Sequence, residues 1–129
     1  MFESEKTNQF RGQAFLDTYV SGRVIDIGCG DTLVVPDAEP FDLDQGNANL
    51  IDEVREAEGY DCVHASHCLE HMHNPVDALR RWWKLVKPGG YLVVVVPDEN
   101  LYEQGVWPSR FNPDHKASFR INKEDTWSP

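Results

Sequence analysis

The run Tyr91-Leu92-Val93-Val94-Val95-Val96 limits the fold more than any other stretch of the chain. Branched side chains pack well on a pleated surface, so the run reads as a strand. It shows no alternation of apolar and polar residues, and a strand of that kind belongs at the centre of a parallel sheet with both faces covered. At six residues it is far short of the ~20 that a membrane span requires. Parallel neighbours need crossover connections, so helices must alternate with the remaining strands.

The rest of the chain can be read against that expectation. Phe10, Ala14 and Phe15 recur at helical spacing and predict a helix over 4–19, stopped by Ser21-Gly22. RVIDIG (23–28) is a short branched run opening into Gly28-Cys29-Gly30, which reads as a buried strand ending in a loop. FDLD (41–44) is expected as a second strand with carboxylates at its exit. Residues 47–58 are expected as a short helix with Leu50, Val54 and Ala57 on its inner side. YDCVHAS (60–66) is a third strand. Asn74 then caps a helix with Pro75 at its first position, Asp77 in its first turn, and Val76, Leu79, Trp83 and Val86 as its apolar face. Of the Trp82-Trp83 pair, one ring is expected on the sheet and the other near the surface. Pro88-Gly89-Gly90 is expected to turn the chain into the final strand.

At 129 residues the chain suits one core, so 1–129 is taken as a single domain, with 98–129 an irregular tail or substrate-side segment. Twelve basic against twenty-two acidic residues give a net charge of −10, which argues against a nucleic-acid partner. No segment suits a membrane, and MFESEK lacks the form of a signal peptide. Cys29, Cys62 and Cys68 are odd in number and form no C-x-x-C, so a reducing, cytoplasmic setting is expected, with Cys29 and Cys62 as small core residues.

In parallel sheets ligands bind at the carboxyl ends of the strands. Here those ends carry Asp26-x-Gly28-x-Gly30, then Asp42 and Asp44, then Ser66-His67, then Asp98-Glu99. A dinucleotide site wants G-x-G-x-x-G opening into a helix, but Leu33 stands at the third glycine position and Val34-Val35-Pro36 follow. No Gly-Lys-Ser/Thr follows either, which excludes a nucleoside-triphosphate loop. A glycine loop without a phosphate seat remains.

VIDIGCGD, the acidic strand exit, YDCVHASHCLEH and ALRRWWKLVKPGGYLVVVVPD together resemble class I S-adenosylmethionine-dependent methyltransferases over roughly residues 10–100. The resemblance implies a Rossmann-like three-layer α/β sandwich with a mostly parallel central sheet. That sheet would be shortened, since the family's last two strands have no counterpart, and a truncated chain is expected. An edge left unpaired would favour a homodimer. The resemblance also implies S-adenosylmethionine as cofactor and a small-molecule or glycan acceptor methylated on oxygen or nitrogen. Asp26, Gly28, Cys29 and Gly30 would hold its methionine part, Asp42 (or Asp44) its ribose hydroxyls, and Asn47-Ala48 would lie beside adenine. Ser66 and His67 would line the methyl-donor side. The sequence departs from the family at Thr32, where a third glycine is usual, and only eleven residues separate Gly30 from Asp42, too few for the usual helix. A more open cofactor pocket and weaker binding are expected there.

The stretch SHCLEHMHNP (66–75) also carries His67-x-x-Glu70-His71, the outline of an inverted zinc-protease motif. That motif needs a helix to bring its ligands onto one face, and here it follows a strand directly. Some methyltransferases carry Glu-x-x-Glu-His in this loop and bind a divalent ion, so His67, Glu70 and His71, joined by His115, form the metal alternative to a metal-free site. The candidate catalytic residues are His67, as proton acceptor, with His71 and His115; a loop-shaping role competes for His71. His73 reads as a solvated loop residue. Tyr102, Trp107, Arg110 and His115 of the tail are candidates to contact an acceptor, against a plain surface loop.

Overall fold

The computed structural model describes residues 11–98 and Lys116. Phe10 and the expected helix start at 4–10 lie outside the described residues, as do Tyr102, Trp107, Arg110 and His115. Helix α1 (Gln13–Tyr19) leads through Val20 into β1 (Val24–Ile27), β2 (Glu39–Phe41), a 3-10 helix (Ala48–Glu53) and β3 (Tyr60–Ser66). A second 3-10 helix (Leu69–His71), α2 (Pro75–Trp83) and β4 (Val86–Val95) follow. All strand pairs are parallel, in the order β2-β1-β3-β4. None of the helices among the described residues is long and apolar enough to cross a membrane.

The sheet has two covered faces, because successive strand residues point to opposite sides. On one face Ile25, Ile27, Val63 and Ala65 pack with Phe41, Ile51, Ala78, Trp82 and Leu85. On the other, Val24 and Cys62 pack with Val20, Val34 and Ala38, and Leu16 and Val35 close over them. The result is the three-layer α/β arrangement, with one difference. No helix joins β1 to β2; the irregular segment 28–38 covers that face instead, using Val34 and Ala38 in place of a helix stripe.

Several elements sit differently from the sequence reading. The second strand is Glu39–Phe41, not 41–44, and Asp42 begins a turn beyond it. Pro40 lies within it without penalty, since β2 is the sheet's edge among the described residues and the missing N–H is not needed by a second neighbour. The helix expected at 47–58 is a 3-10 helix over 48–53 that buries Ile51 and leaves Leu50 and Val54 exposed. Helix α2 starts as expected, with the Asn74 side chain accepting the Asp77 amide and Pro75 in the first turn. Its buried stripe, however, is Pro75, Ala78 and Trp82, while Val76 (58%), Leu79 and Trp83 (59%) are exposed. Apolar residues occupy both stripes of this helix, so periodicity alone could not choose. The indole of Trp82 decides it: its N–H donates to the Ala48 carbonyl at 3.0 Å.

Strand β4 carries the largest correction. Among the described residues it is an edge strand, and Leu92 to Val96 are half-buried, not enclosed. Pro88-Gly89-Gly90 lies inside the strand as an irregularity: Tyr60 pairs with Val86 and Cys62 with Tyr91, so two steps on β3 face five on β4. Gly89 has φ +82°, and a Cβ on Gly90 would lie 2.7 Å from the Asp61 carbonyl oxygen.

Because Trp82 is fully buried and Trp83 is not, Trp82→Ala is expected to lower unfolding free energy by about 3–5 kcal/mol. Trp83→Ala should stay within about 0.5 kcal/mol, both read by urea denaturation. Arg81 and Lys84 of the α2 end clamp Asp52 at 2.8 and 3.3 Å. Burial pushes the Asp52 carboxyl up, but these hydrogen bonds outweigh it and hold it below its ordinary 3.8. A carboxyl depressed by folding stabilises above its unfolded value and loses that contribution as pH falls through the folded one. The stability gap between wild type and Asp52→Asn should therefore be full at pH 6 and close as the pH falls below about 4, measured by thermal unfolding across pH.

Candidate functional site

Gly28 ends β1 with φ +69°, and a Cβ there would strike the Cys68 side chain at 2.8 Å. Only glycine permits that approach. The Gly28 amide donates to the Phe41 carbonyl at 2.7 Å, and the Gly30 amide donates to Asp42 Oδ2 at 2.8 Å. The glycine loop is thus tied to the exit of β2. Asp42 Oδ1 accepts the Leu43 amide at 2.8 Å. Each carboxylate oxygen keeps a further lone pair, so the anchored group can still accept from a ligand hydroxyl.

Beyond these strand ends lies a cavity of about 620 Å³, within the range of small-molecule sites. Of the sequence-predicted residues, Gly28, Asp42, Asn47, Ala48, His67 and His71 line it. Asn47 is held by accepting the Asn49 amide at the start of the first 3-10 helix. Phe41, Gly46, Cys68 and Met72 complete much of the apolar wall. His73, read from sequence as solvated loop, also lines the cavity, and its amide donates to the Asn49 side chain at 3.0 Å. The sequence reading missed Cys68, Asn49 and Met72. The Gly28–Cys68 contact is not local in sequence, and nothing in the spacing announces it.

His67 stands at the exit of β3 with φ +54°, a left-handed conformation costing about 1–3 kcal/mol for a residue with a Cβ. Its amide donates to the Val95 carbonyl at 2.8 Å, which helps hold it there. Its Nδ1 lies 3.7 Å from the buried Glu70 carboxylate, within ion-pair range but beyond a hydrogen bond. The Lys116 amide donates to the Glu70 carbonyl at 2.7 Å, so position 116 meets the short helix that carries His71.

Five predicted cofactor residues do not line the cavity. Asp44 is exposed within the turn after β2. Ser66 is buried, and its hydroxyl has no hydrogen-bond partner among the described residues. Cys29 is buried within the loop, and of its two neighbours only Gly28 lines the cavity. Asp26 lies on the opposite face of the sheet, 3% exposed, with Oδ1 2.7 Å from His64 Nδ1 and Oδ2 accepting the Val34 amide at 2.7 Å. Gly30 also stands outside the lining and reaches the site only through Asp42.

Burial pushes the Cys68 thiol up to about 12, with Glu70 adding to it, and Cys62 is likewise pushed up to about 12 by burial and Asp26. Burial also raises Cys29. None of the three is a ready nucleophile. Among the described residues no group of three or more His, Cys, Asp or Glu is placed to hold a metal ion, so His67, Glu70 and His71 do not assemble as one. His115 lies outside the described residues.

No curated protein and no solved structure matches the chain. A family model described as a methyltransferase domain matches residues 5–123. With four parallel strands, a glycine turn after β1 and an acid at the exit of β2, the chain belongs to this methyltransferase domain family.

Proposed function

We propose that this domain binds S-adenosylmethionine in the cavity at the strand ends and transfers a methyl group to an oxygen or nitrogen of a small-molecule or glycan acceptor. The observation that carries this reading is the meeting of Asp42, Gly28 and the Asn47-Ala48 pair around one cavity of about 620 Å³. The residues fit the cofactor's chemistry. Asp42 offers spare lone pairs to two ribose hydroxyls while its position is fixed by the Gly30 and Leu43 amides. Gly28 presents bare backbone where any side chain would collide. Asn47 and Ala48 supply a small, partly polar edge for adenine.

When bound, the cofactor supplies an electrophilic methyl group on a sulfonium, open to in-line displacement by an acceptor lone pair. The chain's own part is positioning and proton transfer. Neutral His67, at the mouth of β3, can take the proton that an oxygen or nitrogen acceptor releases. His67 lines the cavity, and its Nδ1 stands 3.7 Å from the Glu70 carboxylate. His71 and His73 add polar contacts for the acceptor on the same wall. A net charge of −10 disfavours a nucleic-acid acceptor, and three buried free thiols suit the cytoplasm. A second reading, cofactor binding without turnover, draws on the irregular 28–38 connection where the family's helix is absent.

Calorimetric titration with S-adenosylhomocysteine is expected to give clear binding that Asp42→Ala weakens at least about tenfold, since hydrogen bonds to a charged group are lost. No binding by the folded protein would overturn the cofactor reading. His67→Ala should leave that affinity within about twofold and lower methyl transfer about 10²- to 10⁴-fold, measured with labelled cofactor on an acceptor found by screening small molecules and glycans. Binding with no transfer to any screened acceptor would favour the second reading.

A further inference from the structure

Asp26, His64 and Arg11 form a polar line under the sheet that the methyl-transfer chemistry does not use. The register of β1 and β3 sets Asp26 beside His64. The two residues are 3% and 1% exposed. Arg11 Nη1 lies 2.8 Å from His64 Nε2. A guanidinium can only donate, so Nε2 is the acceptor and the ring hydrogen sits on Nδ1. That hydrogen is donated to Asp26 Oδ1 at 2.7 Å, and Asp26 Oδ2 accepts the Val34 amide at 2.7 Å. The line therefore runs from the segment before α1 to the connection that stands where a helix would otherwise be.

That connection has little hydrogen bonding of its own. Thr32 to Cys29 at 3.4 Å and Ala38 to Val35 at 3.1 Å are its internal backbone bonds. It is held mainly from outside: Gly28 by Phe41, Gly30 by Asp42, Val34 by Asp26. A buried carboxylate is stable only while its donors are in place. Burial lowers the affinity of Arg11 for its proton, and the Asp26 charge partly restores it, so the end groups of the line sense each other.

We infer that Arg11 and His64 are positioning residues for the cofactor loop, acting through Asp26, an inference that rests on the S-adenosylmethionine reading. Asp26 is then the loop's anchor and makes no contact with the cofactor. Loosening it frees Val34, and with it the Gly30 amide that fixes Asp42.

The test uses Arg11→Met, which keeps the aliphatic stem without donors, and Arg11→Lys, which restores one. Amide hydrogen exchange at Val34 and calorimetric affinity for S-adenosylhomocysteine are read on all three proteins. Arg11→Met is expected to speed Val34 exchange and weaken affinity, each about tenfold, with Ile25 in β1 unchanged and Arg11→Lys recovering much of both. Unchanged Val34 exchange overturns the inference. So does faster exchange with unaltered affinity, which would leave the line a purely structural feature. If the wild type binds no S-adenosylhomocysteine, the cofactor reading fails by itself, and Val34 exchange still decides whether Arg11 holds the loop.

Discussion

The parallel pairing of β1 with β3 is the constraint on which the site depends. Its register sets Ile27 beside Ala65 and Asp26 beside His64, so the glycine turn and His67 leave the sheet at the same edge. A slip of one residue would reverse every side chain on the moved strand. Ile25 and Ile27 would leave the core shared with Trp82, and Asp26 would lose the only face of the sheet on which its charge is answered. Core packing and site geometry thus enforce the same register, which is why the apolar strands can carry polar groups at their ends.

The opposite face shows how much of a Rossmann-like layer can be supplied without a helix. Segment 28–38 satisfies its backbone largely through side chains and neighbouring strands, and fills the layer with Val34 and Ala38. A helix satisfies its backbone internally and needs little outside help. Replacing one with an irregular segment moves that burden to Asp26 inside β1 and Asp42 beyond the end of β2. The chain uses acids for both purposes, and only Asp42 also faces the cavity.

Much of this was legible in the sequence, and the failures have physical causes. The alternation of branched runs with capped helices, Asn74-Pro75 above all, was enough for the parallel α/β class. Gly28, Asp42 and His67 could be placed at the cavity because strand ends converge in such sheets, and Asn47 and Ala48 through the family resemblance alone. Asp26 stands inside β1 and outside the cavity lining, and the motif does not say which face a strand residue takes. His64 was passed over since a histidine inside an apolar run carries no periodic signal. The inner faces of α2 and of the first 3-10 helix were read one residue off, since both carry apolar residues on two adjoining stripes. The central place expected for YLVVVV came from its apolarity alone; among the described residues the strand lies at an edge, and half-burial of the valines suits the same composition.

Cys68 lines the cavity, and its side chain occupies the space that Gly28 leaves open. A thiolate in that place would be an alkylation target for any electrophile bound beside it. With the thiol pushed up to about 12, it stays protonated at neutral pH and is a poor nucleophile. The same burial that makes Cys68 a good packing partner for a glycine also makes it chemically silent toward an alkylating ligand.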